Sequence, residues 1–213
     1  MSKKYKLTSE IKKIKHARTR NIINLYRIRA LKDFDDVKAG DLGGFIEKEA
    51  NLSHDGNCWV YDKACVYGYA RVYDNVYGYA HVSGGACVFA DAHIHDHAHV
   101  SYDATIFNYA RVYGRAIVAG SARIHSYAEV YNYALINGRA KIHGKVYGGA
   151  LVGGCAEIYG SVFGNAKVLF YTKVWGRAYG NAKLTKKSKV REVPINYEVY
   201  ESDNLVKIVD ETE

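Results

Sequence analysis

Proline, methionine and cysteine are scarce here: one, one and four residues in a chain of 213. Cys58, Cys65, Cys87 and Cys155 form no CxxC pair and no framework of short spacings. Free thiols in a reducing compartment follow more simply than a disulfide scaffold. Long apolar runs are missing too. No stretch reaches the length of a membrane span, and no charged segment followed by an apolar core opens the chain. The expectation is a cytoplasmic protein without a membrane partner. Acidic residues are nearly absent from one region only. Residues 1–32 carry eleven Lys or Arg and one acid, Glu10, whereas the last sixteen residues hold six acids. A basic arm can bind phosphate backbones or an acidic surface, or simply stay solvated. Nucleic acid is thus a possible partner of residues 3–32.

Glycine and tyrosine are abundant, at 20 each. Such bias comes from a short motif copied many times. From Ala64 onward the chain obeys Ala-x-[Val/Ile/Leu], then usually an aromatic, a Gly or Asp, and one free position. Ala64-Cys65-Val66-Tyr67-Gly68-Tyr69 and Ala110-Arg111-Val112-Tyr113-Gly114-Arg115 are examples. On an extended strand the alanine and the branched residue share one face and the residue between them faces outward. Six is not a helical period, and glycine is too frequent for helix.

Four repeats read as shortened: Val76 to Ala80, Val146 to Ala150, Val162 to Ala166 and Ala178 to Ala182. Grouped in threes, the repeats open turns at Ala64, Ala80, Ala98, Ala116, Ala134, Ala150, Ala166 and Ala182, and every short repeat falls third. Three repeats therefore make one coil of 16 or 18 residues with three faces. Inward columns follow: Val66, Val82, Val100, Val118, Ile136, Val152, Val168 and Leu184 on face one, and Val72, Val88, Ile106, Ile124, Ile142, Ile158, Val174 and Val190 on face two. The fold expected is an all-β, single-stranded parallel β-helix of triangular coils. It spans residues 58–190, between a basic N-terminal arm and cap (1–57) and an acidic C-terminal cap (191–213). Within the caps, residues 9–20 read as a short basic helix with Ile11, Ile14 and Ala17 as an apolar stripe. Residues 24–31 read as a strand, Lys38 to Phe45 as a glycine-rich turn, and Ile195 to Val209 as one or two strands.

The repeat resembles the hexapeptide-repeat, left-handed parallel β-helix superfamily, through pairs such as Val66 with Ala70 and Ile124 with Ala128. The resemblance covers about 60% of the chain and implies the left-handed crossover, against the general right-handed rule. The stretches Leu25–Phe34, Gly40–Glu47 and Cys58–Tyr61 also resemble small repeat proteins of phages and prophages, which are acyltransferase-like by fold.

Three groups of residues could carry function. The first is a polar edge, expected where the middle coils keep their full length: His93, His95, Asp96, His97, Arg111, Tyr113, Arg115, Glu129, Tyr131 and Tyr133. Imidazoles there could move protons or meet phosphate. The second is an outward aromatic column: Tyr73, Phe89, Phe107, His125, His143, Tyr159 and Trp175. Arg71, Arg123, Lys141, Lys173 and Lys189 lie on the same face. The column could be a subunit interface or a stacking platform for bases or sugars, or it could simply stabilise the ladder. The third is the column Cys65, His81 and His99, whose spacing reaches a shared ion poorly. No metal site is expected, and the zinc triad of β-helical carbonic anhydrases has no counterpart.

No coil ejects the long loop that helps build the acceptor site of hexapeptide transferases. The favoured expectation is therefore a non-catalytic phage- or prophage-type binding protein without a cofactor. It would form a homodimer or homotrimer and act on a host protein, such as one of host defence, or on a small ligand. One alternative implied by the resemblance is an acyltransferase using acetyl-CoA, with His93, His95 or His97 as general base. The other is nucleic-acid binding through the arm.

Overall fold

A computed structural model describes residues 3–15 and 20–208. The chain is all-β, a parallel β-helix of about nine turns, in keeping with the left-handed class. Three longer strands open it: β1 (Tyr5–Lys15), β2 (Ile22–Ala30) and β3 (Leu42–Ile46). Most later strands are two residues long, one outward and one inward. Such short strands suffice because each bonds to the coils on both sides. Arg71 N–H reaches the Ala86 carbonyl at 2.9 Å and Tyr73 N–H reaches that of Val88 at 2.9 Å.

The register stacks like on like. On face one Val66 lies beside Val82, which lies beside Val100, and the column runs on to Leu184. Face two runs from Val72 to Val174 as the repeat implied. Face three carries Val76, Ile94, Val112, Val130, Val146, Val162 and Ala178. All are buried, as are the repeat alanines that fill the inner corners. Burying each such branched side chain contributes about 1.5–3 kcal/mol, so every coil adds stability to its neighbours.

The stack extends past the readable repeat at both ends. Ile46, Leu52 and Val60 form an irregular first coil against Val66, Val72 and Val76. At the other end Val193, not Val190, lies beside Val174. A loop from Thr185 to Ser188, closed by Ser188 Oγ donating to the Lys183 carbonyl at 2.7 Å, takes up the intervening residues. Tyr197–Ser202 then adds a last face-three strand beside Ala178 and folds back antiparallel with Leu205–Lys207.

The expected helix over residues 9–20 is not formed. Residues up to Lys15 belong to β1, which pairs antiparallel with β2, and Ala17 lies outside the described residues. Ile11 is exposed, while Ile14 packs on Leu25, Phe45 and Cys65. The β-branched side chains of β2 offer a ladder that a three-residue apolar stripe cannot outweigh. The glycine-rich turn also ends sooner than expected, at Asp41. Gly43 is already strand, and a Cβ there would lie 2.6 Å from the Val60 carbonyl oxygen. Glycine is required by close packing at that point, not by a turn.

A further correction concerns the coil lengths. The extra residues of the middle coils lie between faces two and three, not at the polar edge between faces three and one. They are Ala90-Asp91, Asn108-Tyr109 and Ser126-Tyr127, all six with φ between 54° and 62°. Short coils lack the pair and turn from face two to face three through one residue: Asp74, Gly144, Gly160 or Gly176. Where short corners stack on one another, a side chain does not fit: a Cβ on Gly144 would collide with the Gly160 carbonyl oxygen. No helix among the described residues is long and apolar enough to cross a membrane.

Candidate functional site

The residues read as a polar edge lie on three consecutive coils. His93, Arg111 and Glu129 sit side by side, outward on face three. Glu129 also meets Lys145 at 2.9 Å. Just beyond them, at the corner, come His95-Asp96-His97, Tyr113-Gly114-Arg115 and Tyr131-Asn132-Tyr133. Asp96 lies 3.4 Å from His95 Nδ1 through Oδ1, and its Oδ2 accepts the Gly114 N–H at 3.0 Å. Partial burial pushes the Asp96 carboxyl up, but the Gly114 amide and the His95 ring outweigh it and hold it below the usual range. With Nδ1 turned to a carboxylate, His95 keeps Nε2 for another partner. His97 stacks on Tyr79 at 4.9 Å, and Arg115 lies over the Tyr133 ring.

The sequence reading missed that this edge is also an aromatic ladder. His95, Tyr113, Tyr131, Tyr147, Phe163 and Tyr179 stack in order, 4.8–4.9 Å apart and within 12° of parallel. The signal was present: an aromatic follows almost every inward residue of face three. His95 is therefore the half-buried first ring of this row, which fixes its ring plane. Burial raises the hydroxyls of Tyr113 and Tyr131.

The face-two column also forms, from Phe89 through Phe107, His125, His143 and Tyr159 to Trp175, with spacings of 3.8–5.2 Å. Tyr73 stands apart from it and lines a shallow cleft of about 320 Å³ with Glu49, His54 and Arg71. The spacing bears on the stacking-platform idea. A base or sugar ring entering between two of these rings would need roughly twice the gap, so the column offers its edges and ends, not its faces. Burial, then His143, Arg123 and Lys141, push the His125 imidazole down to about 4. Arg71, Arg123, Lys141 and Lys173 point outward beside the column as expected, but Glu192 takes the place foreseen for Lys189. Lys141 is already paired with Glu157 at 2.8 Å.

Cys65, His81 and His99 are neighbours on face one. The two imidazoles stack face to face at 4.9 Å, so their nitrogens run parallel and do not converge. Among the described residues no three His, Cys, Asp or Glu side chains gather on a common point. Burial, then His99 and Lys12, lower His81 to about 4.

The arm spends part of its charge on the fold. Lys4 is buried, with Nζ donating to the carbonyls of Asp55, Gly56 and Cys58. Lys3 pairs with Glu49 and Arg27 with Glu10. Lys6, Lys13, Lys15 and Arg29 remain exposed.

No family model matches the chain. A stretch of 76 residues is 38% identical to a protein of Escherichia coli (strain K12) named "Uncharacterized acetyltransferase YdcK", covering 34% of this chain and 23% of that protein. The chain thus spans under a quarter of that relative's length in the match.

Proposed function

We propose that this protein is an acyltransferase drawing on a CoA thioester, with the polar edge as its reaction surface. The observation that carries the reading is the His95–Asp96 pair, held at the end of a rigid ring ladder between exposed cations. The name of the Escherichia coli relative supports the same chemistry. The thioester supplies the acyl group. His95 accepts the proton of the attacking amine or hydroxyl and returns it to the leaving thiol. Asp96 fixes the ring's tautomer and steadies the imidazolium. Arg111 and Arg115 hold phosphates. The edge is convex, so a second copy of the chain supplies the opposite wall, in a cytoplasm that keeps the four thiols reduced.

A second reading keeps the edge non-catalytic, as a docking surface for a protein or small ligand. What favours it is that two clefts, one at Glu49–Tyr73 and one around Gly160 and Trp175, lie away from His93, His95 and His97.

Calorimetric titration with acetyl-CoA, followed by thiol release in the presence of simple amines, separates the two. Binding in the micromolar range, with turnover lost at least tenfold in His95→Gln, supports acyl transfer. No heat at millimolar acetyl-CoA sinks it and leaves the docking surface.

A further inference from the structure

Two lysines in the N-terminal segment each touch a cysteine of the first coils. Lys12 Nζ lies 3.1 Å from Cys65 Sγ, and Lys4 Nζ lies 3.2 Å from Cys58 Sγ. Neither thiol has a part in the chemistry proposed above. The two pairs differ in how the amine is held. Lys4 is buried, and three backbone carbonyls besides the thiol take its protons, the nearest at 2.8 Å. Those carbonyls fix the amine in place. Lys12 is half-buried, with one further acceptor among the described residues, the Lys63 carbonyl at 3.3 Å, and the Phe45 ring beneath it. Held by fewer acceptors than Lys4, its amine can turn onto the sulfur.

We infer that Lys12 and Cys65 form an oxidative cross-link that staples the N-terminal hairpin to the β-helix. In the first step a peroxide oxygen passes to Sγ: an S–O bond forms, the O–O bond breaks, sulfur loses two electrons, and the thiol proton leaves in water. The neutral Lys12 amine then attacks sulfur. An S–N bond forms, the S–O bond breaks, and hydroxide departs with the amine proton as a second water. One hydrogen peroxide is consumed and two waters are made, so the balance closes without any other reactant.

Position decides the consequence. Cys65 lies under a small cluster where Ile14, Ile23 and Leu25 of the hairpin cover Phe45 and Tyr67. Burial raises its thiol against the pull of Lys12, so reaction follows transient lifting of the hairpin. Once made, the bond joins residues 53 apart in sequence and prevents further lifting.

The test treats the full chain with hydrogen peroxide and maps its peptides. The expected product is a peptide pair joined through Lys12 and Cys65, lighter than the sum of its parts by two hydrogens and separated by dithiothreitol. Lys12→Arg keeps the charge and should abolish the joined peptide while Cys65 still oxidises. Lys4 and Cys58 should stay unlinked. Limited proteolysis of the β1–β2 connection should slow several-fold in the oxidised protein. The inference is overturned if Cys65 gains oxygen while Lys12 stays free, if it stays reduced while Cys87 and Cys155 oxidise, or if the joined mass persists in Lys12→Arg.

Discussion

The 18-residue and 16-residue coils share one core and differ at one corner. All three inward columns pass from short coils to long and back without a break in register. The stack therefore demands equivalence only at the strands, and a corner is free to change length if its neighbour allows. Each solution carries its own cost. A long corner puts two non-glycine residues into the left-handed region, at about 1–2 kcal/mol each. A short corner under another short corner admits only glycine, as at Gly144 and Gly160.

The sharpest way to break this comparison is to shorten a long coil beside a short one. Deleting Ser126-Tyr127 would bring Ala128 to the place equivalent to Gly144, with its Cβ aimed at the backbone of the next coil. A loss of about 3 kcal/mol or more is expected in urea unfolding, together with the Tyr109–Tyr127 stack. Adding Ala128→Gly to the deletion should recover most of it; no recovery would mean that the short corner is not a steric device. Gly144→Ala alone tests the same contact from the other side and should cost about 1–3 kcal/mol.

A smaller effect follows from the histidines stacked in the columns. His81 and His125 titrate at about 4 in the folded chain, against 6.5 as the ordinary value. The unfolded chain therefore takes up protons first as pH falls. Stability is full above about 6.5 and is lost progressively toward 4. The melting temperature should drop across that window, and His125→Phe, which continues the Phe89–Phe107 pattern, should drop less. Equal pH dependence in the two proteins would show that the imidazoles are not desolvated as described. The smallest effect is expected for Ala90→Gly, which relieves one left-handed alanine (φ 56°) and should raise stability by up to about 1 kcal/mol in thermal melts.

Much of the repeat body was legible because its core is written in one residue type at fixed steps. The columns from Val66 to Leu184 and from Val72 to Val174 needed only alternation and a count. What misled was the corner. Every face-three repeat keeps four positions from its inward residue to the next alanine, so the missing pair was assigned to the wrong end of face three. The true signal lay two residues before Val76, Val146, Val162 and Ala178, where Asp74, Gly144, Gly160 or Gly176 stands in place of the alanine. The caps were harder for a different reason. Ile11 and Ile14 fit a helix or a strand equally, and only the partner β2, far along in packing terms, decides. Val190 and Val193 are both plausible ends to a column, and the loop that skips one of them is held by Ser188, a polar contact with no periodic trace. Of the polar edge, the membership of His93 to Tyr133 was readable. The ladder that holds His95 was hidden because its members were read as free outward positions.

The two tryptophans lie at opposite ends of the stack. Trp59 is buried in the first coil, edge-on to Tyr5 and Phe34, and Trp175 ends the face-two column, 3.8 Å from Tyr159. A rod whose coils touch only their neighbours can fray from either tip. Each tip here carries its own lamp: one quenched or shifted by opening of the N-terminal hairpin, the other fed by transfer from Tyr159. Emission followed separately in Trp59→Phe and Trp175→Phe would therefore tell from which end the rod comes apart.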